Sequence, residues 1–152
     1  MLGFVCFEEN GAVQTIGVNL GGDLVMTSGG ANTSTVIAQK DRPDATAVGP
    51  DQTIYVSSEA IIYAMKGGNT TRVSGITSNE KMKVLVSNDQ SIYAGSVTGY
   101  IQKINGDAVT AQRHLGEFEV LDLSVSSDKI YVLSNRKEIH ELDANSLETI
   151  RT

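Results

Sequence analysis

The chain has 152 residues, 40% of them hydrophobic, with 12 Lys plus Arg against 18 Asp plus Glu and a net charge of −6, enough for one domain that buries roughly 70% of its unfolded surface. The acidic balance and dispersed basic residues disfavour nucleic acid or an anionic membrane as partner, and no apolar run approaches the roughly 20 residues of a membrane span. Cys6 is the single cysteine, which excludes an internal disulfide framework and points to a reducing compartment.

From the N-terminus, MLGFVCFEEN lacks a basic opening and turns acidic at Glu8, so it does not read as a secretory signal; a cytoplasmic protein is expected. Gly3 to Val13 (GFVCFEENGAV) lines up with Gly99 to Val109 (GYIQKINGDAV), as if the chain began partway through a repeating unit. A first, degenerate unit over 13–44 then reads as a strand at Thr15 to Asn19, a turn at Gly22-Asp23, a second strand at Leu24 to Thr27 and a third at Val36 to Gln39. Matching Val25 to Tyr55 leaves a step of only 30 residues, so a fourth strand is missing or very short between Lys40 and Ala45.

Three clearer units follow over 45–80, 81–117 and 118–152. Each carries an Ile-Tyr pair, Ile54-Tyr55, Ile92-Tyr93 and Ile130-Tyr131, at a constant step of 38 residues. Before each pair stands a β-branched run (ATAVG at 45–49, KVLVS at 83–87, VLDLSVS at 120–126) and an Asp-bearing turn (Asp51, Asp89, Asp128), where the short side chain can bond its own backbone. After each pair come a polar loop and an alternating segment (IIYAM at 61–65, YIQKI at 100–104, EIHEL at 138–142). A turn at Gly67-Gly68, Asn105-Gly106 or Asn145-Ser146 and a more polar fourth strand complete the unit. Period-two alternation punctuated by Gly and Asn is the pattern of antiparallel strands joined as hairpins.

Four-stranded units of about 40 residues predict an all-β fold, a β-propeller of about four antiparallel blades that is a single domain over 1–152 or part of a larger ring. The second strand of each unit, nearly continuous in apolar residues, should be buried on both sides. With this strand pattern over most of its length the chain resembles the WD-repeat propellers, although it has no Trp and no Gly-His pair, and only Leu142-Asp143 echoes the terminal dipeptide. Within that family, RPDATAVGPDQTIYVSSEAIIYAMK is similar to blades in the second propeller of actin-interacting WD-repeat proteins. That resemblance implies actin filaments and a filament-severing factor as partners.

Catalytic groupings are sparse, and no catalytic residue, metal site or cofactor is expected. His114 reads as a loop residue and His140 as a packed or surface strand residue, neither at metal-ligand spacing. Cys6 in FVCF reads as a small core hydrophobe. LGGD and SGGAN precede no helical pattern, which a phosphate loop requires. Asp51, Asp89 and Asp128 lack a second carboxylate at calcium spacing.

Function is then expected on the loops. Those joining second to third strands, at Ser58-Glu59, Val97-Thr98 and Asn135-Arg136-Lys137, should share one edge with those joining successive units, at Lys40 to Pro43, Ser78 to Lys81 and Gly116 to Phe118. Arg42, Glu59, Lys81, Glu117, Phe118, Arg136 and Lys137 are the candidate partner-binding residues, because contact hot spots favour aromatics and arginine. The leading reading is a non-enzymatic protein-interaction scaffold. The alternative is an enzyme or small-ligand propeller that uses its central channel. Exposed apolar faces on the first and last blades predict self-association into a ring of about eight blades, or association with further blades; a small ring closed by Phe4 to Phe7 pairing with the last blade is the other outcome.

Overall fold

A computed structural model describes residues 4–9, 12–18, 23–28, 34–39, 43–67, 69–77 and 81–152. Among them run sixteen strands in four antiparallel sheets. The first sheet is β1 (Phe4–Glu9), β2 (Ala12–Val18), β3 (Asp23–Ser28) and β4 (Ser34–Gln39). The second is β5 (Ala45–Val48), β6 (Ile54–Ser58), β7 (Ile61–Lys66) and β8 (Asn69–Arg72). The third is β9 (Met82–Ser87), β10 (Ile92–Ser96), β11 (Tyr100–Asn105) and β12 (Ala108–His114). The fourth is β13 (Val120–Val125), β14 (Lys129–Ser134), β15 (Ile139–Asp143) and β16 (Thr149–Arg151).

In every sheet the strands lie side by side in chain order, as consecutive hairpins require. Neighbouring sheets touch mainly through their first strands, β1 with β5, β5 with β9 and β9 with β13. These are the innermost strands of a stack of blades.

The first sheet differs from the sequence expectation. Its strands lie within residues 4–39, Phe4 to Glu9 being its first, and Thr15 to Asn19, expected to open the unit, falls on its second strand, Ala12 to Val18. Ser34 to Gln39 is then the fourth strand, and none is missing before Ala45. Without an Ile-Tyr marker in this unit, the match of Val25 to Tyr55 equated a third-strand residue with a second-strand one. Because β1 pairs with β2, it does not lend itself to the last sheet, which has four strands of its own.

Two cores fill the spaces between the last three sheets. One joins the second and third sheets through Tyr55, Ile62, Met82, Ile92 and Ile104. The other joins the third and fourth through Tyr93, Ile101, Val120, Ile130 and Leu142. The Ile-Tyr pairs occupy matching registers, Ile54 opposite Val48 and Met65, Ile92 opposite Ser87 and Ile104, Ile130 opposite Val125 and Leu142. Ile92 and Ile130 are fully buried, whereas Ile54, at the turn end of its strand, is half-buried.

Burial of the second strands on both faces holds for β10 and nearly so for β6, which lie between two sheets. It fails for β14, where buried and exposed residues alternate, because no described strand covers the second face of the fourth sheet. Cys6, expected in the core, is exposed and lies 3.6 Å from the Thr15 hydroxyl opposite it. His114 is the last residue of β12 rather than a loop residue.

Candidate functional site

In the third and fourth sheets a serine at the strand end ties down the turn between second and third strands. Ser96 Oγ accepts from the Thr98 and Tyr100 amides at 3.2 and 2.9 Å, and Ser134 Oγ accepts from the Glu138 amide at 3.3 Å. Such turns need a left-handed residue, supplied by Glu59 (φ 53°), Gly99 (φ 84°) and Lys137 (φ 65°). Glu59 and Lys137 are both exposed at these bends.

The connections between sheets return to the same edge. The Met82 amide donates to the Glu59 carbonyl, and the Val97 amide to the Lys81 carbonyl, both at 3.1 Å. The Leu115 amide donates to the Gly99 carbonyl at 2.9 Å, and the Asn135 amide to the Glu119 carbonyl at 3.0 Å. Backbone bonds thus chain the loops of three sheets into one continuous rim.

Charged side chains decorate this rim in two groups. In the first, Lys81 Nζ lies 2.9 Å from Asp44 Oδ1 and 3.6 Å from Glu59 Oε1, and Asp44 Oδ2 accepts from the Glu59 amide at 3.0 Å. The hydrogen bond to Asp44 raises the Lys81 pKa and keeps the ammonium charged. In the second, Arg136 Nη2 donates to the Glu117 carbonyl at 2.7 Å, with its guanidinium 5.9 Å from the Phe118 ring centre. Phe118 in turn stacks on His140, centroids 5.0 Å apart. Lys83 and Glu119 bridge the two groups with an ion pair.

Of the expected contact residues, Glu59, Lys81, Glu117, Arg136 and Lys137 stand on this edge, and Arg42 lies outside the described residues, as do Lys40, Asp41 and Ser78 to Glu80. Phe118 is only 5% exposed. Its ring is not offered at the surface; it supports Arg136 and His140 from beneath, as an aromatic does when the connection it sits on folds back over it. Asp44, Lys83 and Glu119 were not singled out in the sequence, and His114 was read there only as a loop residue, although the Lys81-x-Lys83 spacing places both lysines on one side of an extended segment. His114 stacks on Tyr100 at 4.4 Å and its Nε2 donates to the Thr98 carbonyl at 3.0 Å, 3.6 Å from Glu117 Oε1.

The opposite edge is made of turns. Asp51 Oδ1 accepts from the Thr53 amide at 3.2 Å, but in the next sheet Asn88, not Asp89, caps the turn, accepting from the Gln90 and Ser91 amides. In the fourth sheet Ser126 Oγ takes that role for the Lys129 amide. Asp51 also meets Lys66 Nζ at 2.7 Å, and this bond lowers its pKa from 3.8 to about 2. Among the described residues no group of three or more His, Cys, Asp or Glu side chains could hold a metal, and no helix is long and apolar enough to cross a membrane.

No family model matches the sequence, and no curated protein matches it. Solved structures do match in fold. The WD40 β-propeller domain of Doa1 aligns with a TM-score of 0.68 at 14% identity, over 92% of this chain and 49% of that one. A chain of the mitotic checkpoint complex aligns with 0.77 at 13% identity, over 91% and 47%. A chain from the complex of BBS1N with ARL6DN aligns with 0.77 at 13% identity, over 94% and 50%. The fold is that of a partial WD40-type β-propeller, and the chain spans about half the length of these structures.

Proposed function

We propose that the protein is a non-enzymatic, cytoplasmic protein-interaction scaffold that presents the loop rim to a protein partner. The observation that carries this reading is the braced charge pattern of the rim: Glu59 and Lys137 project from left-handed turns, and Lys81 and Arg136 are held by named carboxylate, carbonyl and ring contacts. Side chains already held in place lose little entropy on binding, and a rim of mixed charge selects its partner by electrostatic complementarity. Two of the aligned structures are themselves of protein complexes, the mitotic checkpoint complex and BBS1N with ARL6DN.

The test is affinity capture from lysate with the wild-type chain beside a rim variant carrying Lys81→Glu, Arg136→Glu and Lys137→Glu. The expected result is a set of proteins retained by the first and lost by the second, with affinity reduced at least about tenfold. Actin filaments, implied by the sequence resemblance, are the first defined partner to assay by co-sedimentation. Equal capture by the two chains would remove the rim from the binding site.

A further inference from the structure

The sequence contains two histidines, and the fold brings both to the connection between the third and fourth sheets. His114 is the residue before that connection, stacked on Tyr100, with Nε2 3.6 Å from Glu117 Oε1. His140 lies against it, stacked on Phe118, with Nε2 3.6 Å from Glu138 Oε2. Among the described residues each ring thus has one neighbouring carboxylate.

The two rings are joined through Arg136. Its Nη2 donates to the Glu117 carbonyl at 2.7 Å, and its guanidinium stands 5.9 Å from the centre of the Phe118 ring, which rests on His140. Glu138 is two residues further along the same turn. Arg136 therefore sits between two residues whose carboxylates are open to the rim, Glu117 at 82% and Glu138 at 47% exposure.

His140 is only 7% exposed. Its Nδ1 lies 3.1 Å from the Thr152 hydroxyl, whereas Nε2 is buried without a hydrogen-bond partner. Buried polar atoms left unpaired are exceptions in folded proteins. Described residues enclose this nitrogen, so its want of a partner does not depend on any uncovered face of the sheet.

We propose that the two histidines make the rim proton-sensitive: as they take up protons, Glu117 and Glu138 turn to the rings, and the Arg136-Lys137 turn becomes a cationic point that holds an acidic segment of a protein partner. This rests on the rim being the binding surface and adds how that surface is regulated. Imidazole is the side chain whose ordinary change of charge falls between pH 5 and 8. With both rings neutral, Arg136 and Lys137 are matched by Glu117 and Glu138. Once both rings are charged, each carboxylate is matched by its own imidazolium. Arg136 and Lys137 are then left for an incoming anion.

The other charges around the rings are engaged elsewhere. Glu119 pairs with Lys83. Arg113, directly before His114, lies on the other face of β12, opposite Ile101. Across the ladder His140 faces Val132, and the adjacent Glu141 is held by Lys129 and Arg151 on the other face of β15. The Phe118 ring stands between His140 and Arg136, and an aromatic ring can take a cation on either face.

NMR of the 152-residue chain tests the coupling without any partner, the imidazole signals being assigned by His114→Gln and His140→Gln. Both rings are expected to titrate in the folded protein between about pH 8 and pH 5, and the side-chain carboxyl carbons of Glu117 and Glu138 to move in the same steps. A labelled octaglutamate peptide, standing for the acidic segment, is expected to bind about threefold to tenfold more tightly near pH 6 than near pH 8. Glu117→Gln with Glu138→Gln should bind it near pH 8 as well as the wild type does near pH 6. His114→Gln with His140→Gln should bind it equally at both. If that variant does not fold, His114→Gln alone, at an exposed position, should retain only part of the response. Carboxyl carbons that ignore the imidazole steps overturn the proposal, as does a peptide that binds at neither pH or responds to pH equally in the histidine variant. Lysate partners that are lost in the rim variant but held equally near pH 6 and pH 8 would remove this inference and leave the rim reading in place.

Discussion

At the scale of single residues, the inter-sheet tyrosines carry the clearest energetics. Tyr93→Phe removes the donor to the Ala144 carbonyl and leaves that buried acceptor unpaired, which costs about 1–3 kcal/mol; urea denaturation should show it as a lower midpoint at unchanged slope. Burial, more than any neighbouring charge, raises the Tyr55 and Tyr93 pKa above 10.0. The folded chain therefore holds these protons more tightly than the unfolded one. Their contribution is complete below the ordinary tyrosine value and is lost as pH climbs through the raised folded values, so unfolding midpoints should fall above about pH 10. Asp51 has the opposite sign: the bond from Lys66 lowers its pKa to about 2, and its contribution, present above 3.8, is lost as pH falls from there toward 2. The Asp51→Asn variant should have a flatter stability profile over that acid window.

At the scale of strands and turns, equivalent positions are not of equal weight. Ile92→Ala and Ile130→Ala each delete a fully buried side chain and should cost about 2–5 kcal/mol, while half-buried Ile54→Ala should cost less. Thermal melts of the three variants rank them directly. Turn glycines separate by surroundings as well as by conformation. A Cβ on Gly99 would stand 1.9 Å from the Gly116 carbonyl oxygen at a φ of 84°, whereas one on Gly106, φ 61°, meets nothing within 4 Å. Gly106→Ala should cost about 1–2 kcal/mol, and Gly99→Ala should cost more, because the connection between the third and fourth sheets must move. Equal melting temperatures for these two would contradict the packing of that connection. The hairpin rhythm that locates these turns was legible in the sequence. Which residue caps each turn was not, since Asp, Asn and Ser all have an acceptor of suitable reach, and local geometry chose Asp51, Asn88 and Ser126.

At the scale of the whole molecule, burial grades from the middle of the stack outward. β10 is buried throughout, whereas the outermost strands β8 and β16 are exposed along their lengths. Polar, short outer strands such as Asn69 to Arg72 limit edge-to-edge pairing. Hydrogen exchange should be slowest in β10 and its neighbour β11, and fastest in β8 and β16.

The 38-residue step of the Ile-Tyr pairs was sufficient by itself to reveal the repeat, the four strands per unit and the all-β propeller class, because hydrophobic period and turn chemistry are local properties written into short segments. It failed where the marker was absent, in the first sheet, whose strands were shifted by one. Placement of Glu59, Lys81, Glu117, Arg136 and Lys137 on one edge followed from the strand order, since alternate connections of a meander return to the same side. The inward position of Phe118 did not follow, because an aromatic in a charged loop is compatible with either environment until its neighbours His140 and Arg136 are in place. Only the tertiary structure decided which of three equivalent tyrosines is left uncovered. Tyr55, Tyr93 and Tyr131 have the same local sequence signature, and the difference between 1% and 36% exposure comes from whether another sheet stands against the face.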